Sequence, residues 1–228
     1  MLPASAYSIT RSPGHCMESP SSSQLLRQVA LEMFVERSFD AVSLRQLATA
    51  IGMQVGSLYN HMDSKRSLLF ELIEEYEADL LDTVLDESLT IQHPIQRLEA
   101  FVRAHIEFNL QHRQHHDLAR RELRSLTGEQ QLSIHSLRRQ QKQCLQNILQ
   151  QGIAEQLFQP FPPEIAAQAI FSMLEGATTS SQPDVVSLFS CMVANAMGMK
   201  TQPARQGTTQ SSAPPSQGGR CNRNNHER

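Results

Sequence analysis

Ser43-Leu44-Arg45-Gln46-Leu47-Ala48-Thr49-Ala50-Ile51-Gly52-Met53-Gln54-Val55-Gly56-Ser57-Leu58-Tyr59-Asn60-His61 places two short helical signals on either side of one glycine. Ser43 can cap the first helix while Gln46 reaches back to it, and Val42 can staple onto Leu47. Leu44, Leu47, Ala48 and Ile51 then share one face. Gly52 breaks that helix, and a third helix of the domain begins at about Gln54. An amphipathic helix precedes the pair, with Leu26, Val29, Ala30, Met33 and Phe34 at three- and four-residue spacing. The pattern is a helix-turn-helix. An apolar-Gly-apolar bend is commonly just an αα-hairpin, but here the second helix has too few apolar residues to exist for packing alone.

Working outward, nearly every readable segment has helical period, and no strand signal competes. Ser64 caps a helix with the stripe Leu68, Leu69, Leu72, Ile73, Tyr76 and Leu80. His93-Pro94 opens another, Pro being tolerated in a first turn. A short helix is expected over about 117–126. Thr127 and Gln130 form a second capping box, opening a Gln-rich helix that runs to about Gln156. After the stiff loop Phe158-Gln159-Pro160-Phe161-Pro162-Pro163 come two apolar helices, roughly 163–179 and 184–197, separated by a Ser-Gln-Pro turn. The expected fold is all-α. It comprises a helix-turn-helix domain over 21–66 and a helical ligand-binding and dimerisation domain over 67–199. Residues 1–20 and 200–228, rich in Ser, Pro, Gly, Gln and Asn, read as disordered tails.

Composition narrows the function. The net charge of −3 gives nucleic-acid binding no support by itself, but Arg45, Lys65 and Arg66 outnumber Asp63 between residues 43 and 66. A basic face is a local property, so a mildly acidic chain can still dock on phosphates. The four cysteines lack metal-ligand or redox spacing. No apolar run is long enough for a signal peptide or a membrane span, so a soluble, cytoplasmic protein is expected. There is no phosphate-binding Gly loop, nucleophile elbow or carboxylate pair in an evident cleft, which argues against an enzyme, and no cofactor is implied.

Double-stranded DNA is the partner that the helix-turn-helix suggests. Gly56 and Ser57 allow close approach to a groove, and Val55 and Leu58 can pack inward or offer methyls to thymine. Gln54 and Asn60 suit adenine edges, whereas Ser57, Tyr59, His61 and Lys65 suit phosphates. Ser43 and Arg45 can clamp phosphate from the preceding helix, and Arg45 can also reach a guanine.

These residues resemble the amino-terminal domain of the TetR family of bacterial transcriptional regulators. The matching words are Ala30…Met33-Phe34, Phe39-Asp40-Ala41-Val42-Ser43, Leu47-Ala48…Gly52, Gly56-Ser57-Leu58-Tyr59-Asn60-His61 and Ser64-Lys65. Met62 replaces a usual Phe, Ile51 a usual Ala, Ser38 a usual Gly, and Gln54 a usual Ser or Thr. The changes at Ser38 and Gln54 bear on a turn and on one DNA contact. The resemblance implies that three helices bind DNA and a fourth connects them to a regulatory domain. It also implies that the last two helices pair with a second subunit, and that a small molecule in the core alters the spacing of the two heads. The expected function is a ligand-responsive repressor on a palindromic operator. An activator, a corepressor-dependent regulator, or a helical interaction protein without DNA binding remain alternatives.

A homodimer is expected because two-fold half-sites need two heads about 34–36 Å apart. The candidate interface is Ile170, Met173, Leu174, Ala177, Val185, Leu188, Phe189 and Met192, since the last helix is apolar over most of its circumference. The effector pocket is expected around Phe101, Val102, His105, Phe108, Asn109 and His112, with Arg121 and Phe171. Polar groups on a buried stripe often line a cavity, although two aligned histidines can equally be hydrogen-bonded in a core. His112, His115 and His116 beside Asp117 raise a metal site, but no Cys or Glu joins at ligand spacing, so none is assigned. The run Arg120-Arg121-Glu122-Leu123-Arg124 is most often a solvated face. Its other reading is an anion clamp for an acyl-coenzyme A, through a faint resemblance to regulators of acyl-thioester catabolism; another hydrophobic ligand is equally compatible.

Overall fold

A computed structural model describes residues 21–179 and 184–198. The tails and the Ser-Gln-Pro turn expected from the sequence lie outside the described residues. Within them every regular element is helical: α1 Ser22–Arg37, α2 Leu44–Ala50, α3 Val55–Leu58, α4 Lys65–Leu89, α5 Pro94–Gln111, α6 Arg113–Glu122, a 3₁₀ turn Leu123–Ser125, α7 Gly128–Ala154, α8 Pro163–Thr179 and α9 Val185–Ala196.

The starts are written in capping chemistry. Ser43 with Gln46 and Thr127 with Gln130 form the two expected boxes, and Ser21 with Gln24 and Ser64 with Ser67 form two more. Each satisfies amide N–H groups that the first turn cannot. Helix α2 ends on Gly52, whose φ of 69° is the left-handed conformation that only glycine adopts without strain. Met53 N donates to Ala48 O and Gly52 N to Thr49 O, the paired bonds of a Schellman motif that turns the chain toward α3.

Two elements depart from the expected bounds. Helix α3 is one turn long, and residues 59–61 continue it as turn rather than helix. The short helix expected over 117–126 begins earlier, at Arg113, and finishes as the 3₁₀ turn.

Helices α4, α5 and α7 pack on one another as the centre of the larger domain, α8 leans on α5 and α7, and α9 covers α5 and α8. Ile73, Val84, Phe101, Ile106, Ile134, Ile148 and Leu174 are all essentially inaccessible there. At the carboxy end of α7 a Cβ on Gly152 would overlap the Phe158 ring, so glycine is what lets the proline-rich loop fold back. Helix α6 lies between the domains, packed on α1 and α4.

Candidate DNA-reading face and effector cavity

The reading head presents polar side chains on a very small apolar anchor. Tyr59 is 55% exposed, and Arg45, Gln54, Ser57 and Asn60 are exposed as well. Val55 and His61 are half-buried, supporting the turn. Ser43 is exposed, but its hydroxyl already accepts Gln46 N at 3.3 Å.

Two assignments change. Leu58 is fully buried, so it is the anchor of α3 and offers no methyl to thymine. Lys65 points inward: its Nζ donates to the carbonyls of Phe39 (2.8 Å) and Val42 (2.7 Å) and sits 4.1 Å from the centre of the Phe39 ring. Burial pulls its pKa below the ordinary lysine value. Lys65 therefore ties α4 to the α1–α2 connection instead of meeting phosphate.

Helix α6 holds this head at two points, and the 3₁₀ turn after it supplies a third. The buried carboxylate of Glu122 accepts Phe39 N (3.1 Å) and Ser125 Oγ (2.8 Å). Arg121 Nη2 donates to Val35 O at the end of α1 (3.0 Å) while Nε donates to Asp117 O. Arg66 Nε donates to Ser125 O (3.1 Å). Arg121 is thus a strut between domains, not an anion clamp in the pocket. Glu122 was hidden inside a charge run, although its spacing of four from buried Leu118 places both on one helix face.

The other end of α6 enters a cavity of about 280 Å³ between α4, α5, α6, α7 and α8. Of the expected pocket residues, His105, Asn109 and Phe171 line it. Phe101 is buried behind them, its ring centre 6.2 Å from those of both His105 and Phe171. Val102 is packed in the core. Phe108 and His112 face a different cleft, and His112 is exposed at the end of α5. The structure adds Tyr76, His116 and the mouth residues Arg120, Arg138 and Lys142. Tyr76 sat in an apolar stripe, where only its hydroxyl hinted at a second role.

Counting protons defines the polar wall. Thr178 Oγ1 donates to Glu175 O (2.8 Å), so it accepts from His116 Nε2 at 3.1 Å. Tyr76 has one hydroxyl proton and two neighbours, the Asn109 side-chain amide at 2.6 Å and His116 Nδ1 at 3.0 Å. The proton goes to Asn109 Oδ1, the shorter of the two contacts. Asn109 Nδ2 in turn donates to His105 Nδ1, 3.2 Å away. Burial pushes the His116 pKa down and drives His105 to about 3, so both rings favour the neutral form. Beside this wall Arg138 Nε donates to the buried Glu77 carboxylate at 2.8 Å.

An outward polar turn behind a glycine bend, joined by a strut helix to an internal polar cavity, is matched by two family descriptions. Residues 26–72 match "Bacterial regulatory proteins, tetR family", and residues 92–179 match "Tetracyclin repressor-like, C-terminal domain". The chain belongs to the TetR family. It is a DNA-binding transcriptional regulator of an all-α, non-enzyme class. The HTH-type transcriptional repressor KstR2 of Mycobacterium tuberculosis is 29% identical over 136 residues, 59% of this chain and 68% of the relative. A tetR-family regulatory protein from Rhodococcus RHA1 superposes with a TM-score of 0.72 at 25% identity, over 79% of this chain and 97% of that one. AibR, solved in complex with isovaleryl coenzyme A and operator DNA, shares the fold with a TM-score of 0.68 at 22% identity, over 77% and 97% of the two chains.

In this TetR-family chain the α8–α9 face divides the expected dimer residues in two. Ile170, Leu174, Ala177 and Val185 are buried within the subunit, so they hold α8 and α9 to their own domain and cannot meet a partner. Leu188 (51% exposed) and Met192 (44%) point outward, Met173 and Phe189 are half-buried, and Ile165 joins the outer face at 68% exposed. The correction is one of helix phase: an apolar residue belongs to whichever neighbour its own 100° step turns it toward.

Proposed function

We propose that this regulator is a homodimeric repressor which holds a palindromic operator and is released when an effector enters the α4–α8 cavity. The observation that carries the reading is α6 itself. His116 at one end belongs to the cavity wall, while Arg121 and Glu122 at the other end bond the head. An effector that draws Tyr76 or His116 away from its present partners shifts α6 and with it the head. Such a shift requires the effector to bind the two conformations unequally.

The cavity suits an apolar group with a polar junction and an anionic end. Phe171 and His105 supply aromatic walls, Tyr76, Asn109 and His116 supply hydrogen bonds, and Arg120, Arg138 and Lys142 outnumber the carboxylates Glu77 and Glu175, with Arg138 paired to Glu77. Its volume of about 280 Å³ lies just below the roughly 300–1,000 Å³ typical of small-molecule sites. A compact acyl group therefore fits inside, with the nucleotide of a coenzyme A thioester left on the basic rim. Such an effector would match the isovaleryl coenzyme A named for AibR, and DNA is the operator partner. The outer α8–α9 face, with Ile165, Leu188 and Met192, is where the second subunit docks.

The test is fluorescence anisotropy on an operator selected by the protein from a random duplex pool, titrated with a series of acyl-coenzyme A thioesters. One short or branched thioester should lower operator affinity at least tenfold in the wild type and much less in Arg120→Ala/Lys142→Ala. No release by any thioester would overturn the effector class. Operator affinity unaffected by Leu188→Glu/Met192→Glu, with a monomer seen by light scattering, would overturn the dimeric reading.

A further inference from the structure

We propose that His105 sets the specificity of the α4–α8 cavity, its Nε2–H donating to a neutral carbonyl oxygen of the ligand. The inference rests on that cavity being the effector site, and it names the chemical group that the cavity selects.

The position of one proton leads to it. The Asn109 side-chain nitrogen only donates, so His105 Nδ1, 3.2 Å away, accepts. A neutral imidazole carries a single proton, which then sits on Nε2. Burial drives the His105 pKa to about 3, so the ring is neutral at any ordinary pH. Among the described residues no nitrogen or oxygen accepts from Nε2, and the one hydrogen bond of the ring is that at Nδ1. His105 is only 6% exposed, and it lines the α4–α8 cavity. Among the described residues the polar side-chain atom sealed from solvent without a partner is Arg97 Nε, so His105 Nε2 keeps an opening. A buried, unpaired donor that the cavity still reaches is one that a ligand completes.

The surroundings decide what completes it. Phe101 stacks on the imidazole with ring centres 6.2 Å apart, and Phe171 crosses it at 70° and 5.6 Å. A carbonyl oxygen accepts without bringing a proton of its own, and its carbon substituents pack on these rings. A hydroxyl would leave its proton facing aromatic side chains, because the Asn109 oxygen already accepts from Tyr76. A carboxylate would set a buried charge against an uncharged donor, and Phe101, Asn109 and Phe171 supply no counter-charge. The cations of the cavity, Arg120, Arg138 and Lys142, belong to α6 and α7, whereas the cradle around His105 is built from α5 and α8. A neutral carbonyl suits the cradle, and an anionic end of the same ligand suits the cations. A thioester carries both; ketones and esters share the carbonyl.

The experiment is isothermal titration calorimetry of the full-length protein with acetophenone, with ethylbenzene, which lacks only the oxygen, and with sodium benzoate. Acetophenone should bind saturably, and the other two about tenfold more weakly, the scale of one hydrogen bond in a buried site. In His105→Phe the preference for acetophenone over ethylbenzene should vanish. Separately, the long-range proton–nitrogen correlation spectrum of the histidine side chains should show His105 protonated at Nε2, with that proton moving downfield when acetophenone is added. Protonation at Nδ1, benzoate binding as tightly as acetophenone, or an unchanged preference in His105→Phe overturns the proposal. Equal binding of all three probes by the wild type removes the carbonyl assignment and leaves the cavity as a ligand site. Binding of none of them removes both. Circular dichroism checks the fold of the variant; should His105→Phe unfold, the wild-type comparison and the spectrum decide.

Discussion

The reading head and the core cavity use the same kinds of polar side chain in opposite ways. In the head, Gln54, Ser57, Tyr59 and Asn60 face solvent. In the cavity, Tyr76, His105, Asn109 and His116 are wired to one another inside an apolar shell. The head's exposed donors bond water, so docking on DNA exchanges those bonds without breaking one within the protein. The donors of Tyr76, Asn109 and His116 are already satisfied, so a switching ligand must take a partner away from one of them. A buried polar group left alone costs about 1–3 kcal/mol, and under the proposed function that cost is what would let the cavity act as a switch while the head reads. The contrast also explains where stability is concentrated. The head rests on a few anchors, whereas the larger domain interleaves α4, α5, α7 and α8.

The sharpest way to break this comparison is at Leu58. It is the one fully buried side chain of a four-residue helix, so Leu58→Ala removes most of what holds α3. We expect a loss of about 2–5 kcal/mol, the usual range for Leu→Ala in a core. Operator binding should collapse while the helical signal of the larger domain persists. Chemical denaturation followed by circular dichroism and anisotropy would check it. Full operator affinity in Leu58→Ala would show that the head is not organised around this residue.

The next effect is electrostatic and belongs to the cavity. His105 is driven by burial to about 3, and burial also pulls His116 and His115 below the ordinary value near 6.5. The folded state therefore binds fewer protons than the unfolded chain. Stability is complete above about pH 6.5 and falls as the pH drops toward the folded pKa values. His105 alone should remove about 2 kcal/mol by pH 5, one and a half units below its unfolded value at about 1.4 kcal/mol each. Urea midpoints at pH 7 and pH 5 measure this, and His105→Gln should flatten the difference. An unchanged midpoint in the wild type would mean that His105 is charged or exposed.

How much of this was legible beforehand follows the same division. The helix-turn-helix could be read because local chemistry decides it: Ser43 and Gln46 cap α2 and Gly52 ends it within ten residues of sequence. Leu188 and Met192 as outer residues, and Ile170 and Leu174 as inner ones, could not be separated. Apolarity gives a stripe, but only the neighbours decide which side of it is covered. Lys65 was misleading for a related reason. A cation at a helix start is normally free for phosphate, and only the folded chain brings the Phe39 and Val42 carbonyls within 3 Å of it. His116 and Tyr76 are forty residues apart, so no local pattern could pair them.

The smallest expected effect sharpens the comparison at the seam. Ser38 ends α1 with φ 69° and ψ 156°, a conformation that is essentially the preserve of glycine, and it occupies a position where the family usually has one. Such a residue stores about 1–3 kcal/mol and persists only where its surroundings hold it. Two hydrogen bonds hold it here. Ser38 N donates to Phe34 O, and the next amide, Phe39 N, is fixed by Glu122 from α6. Ser38→Gly relieves the strain, and the greater freedom of glycine in the unfolded chain returns about 0.5–1 kcal/mol of it. A net gain of about 1 kcal/mol is expected by urea denaturation. In a Glu122→Ala background Phe39 N loses this acceptor and the backbone at Ser38 can relax, so the same change should gain less. Equal gains in both backgrounds would show that the turn holds its own shape and that α6 merely rests against it.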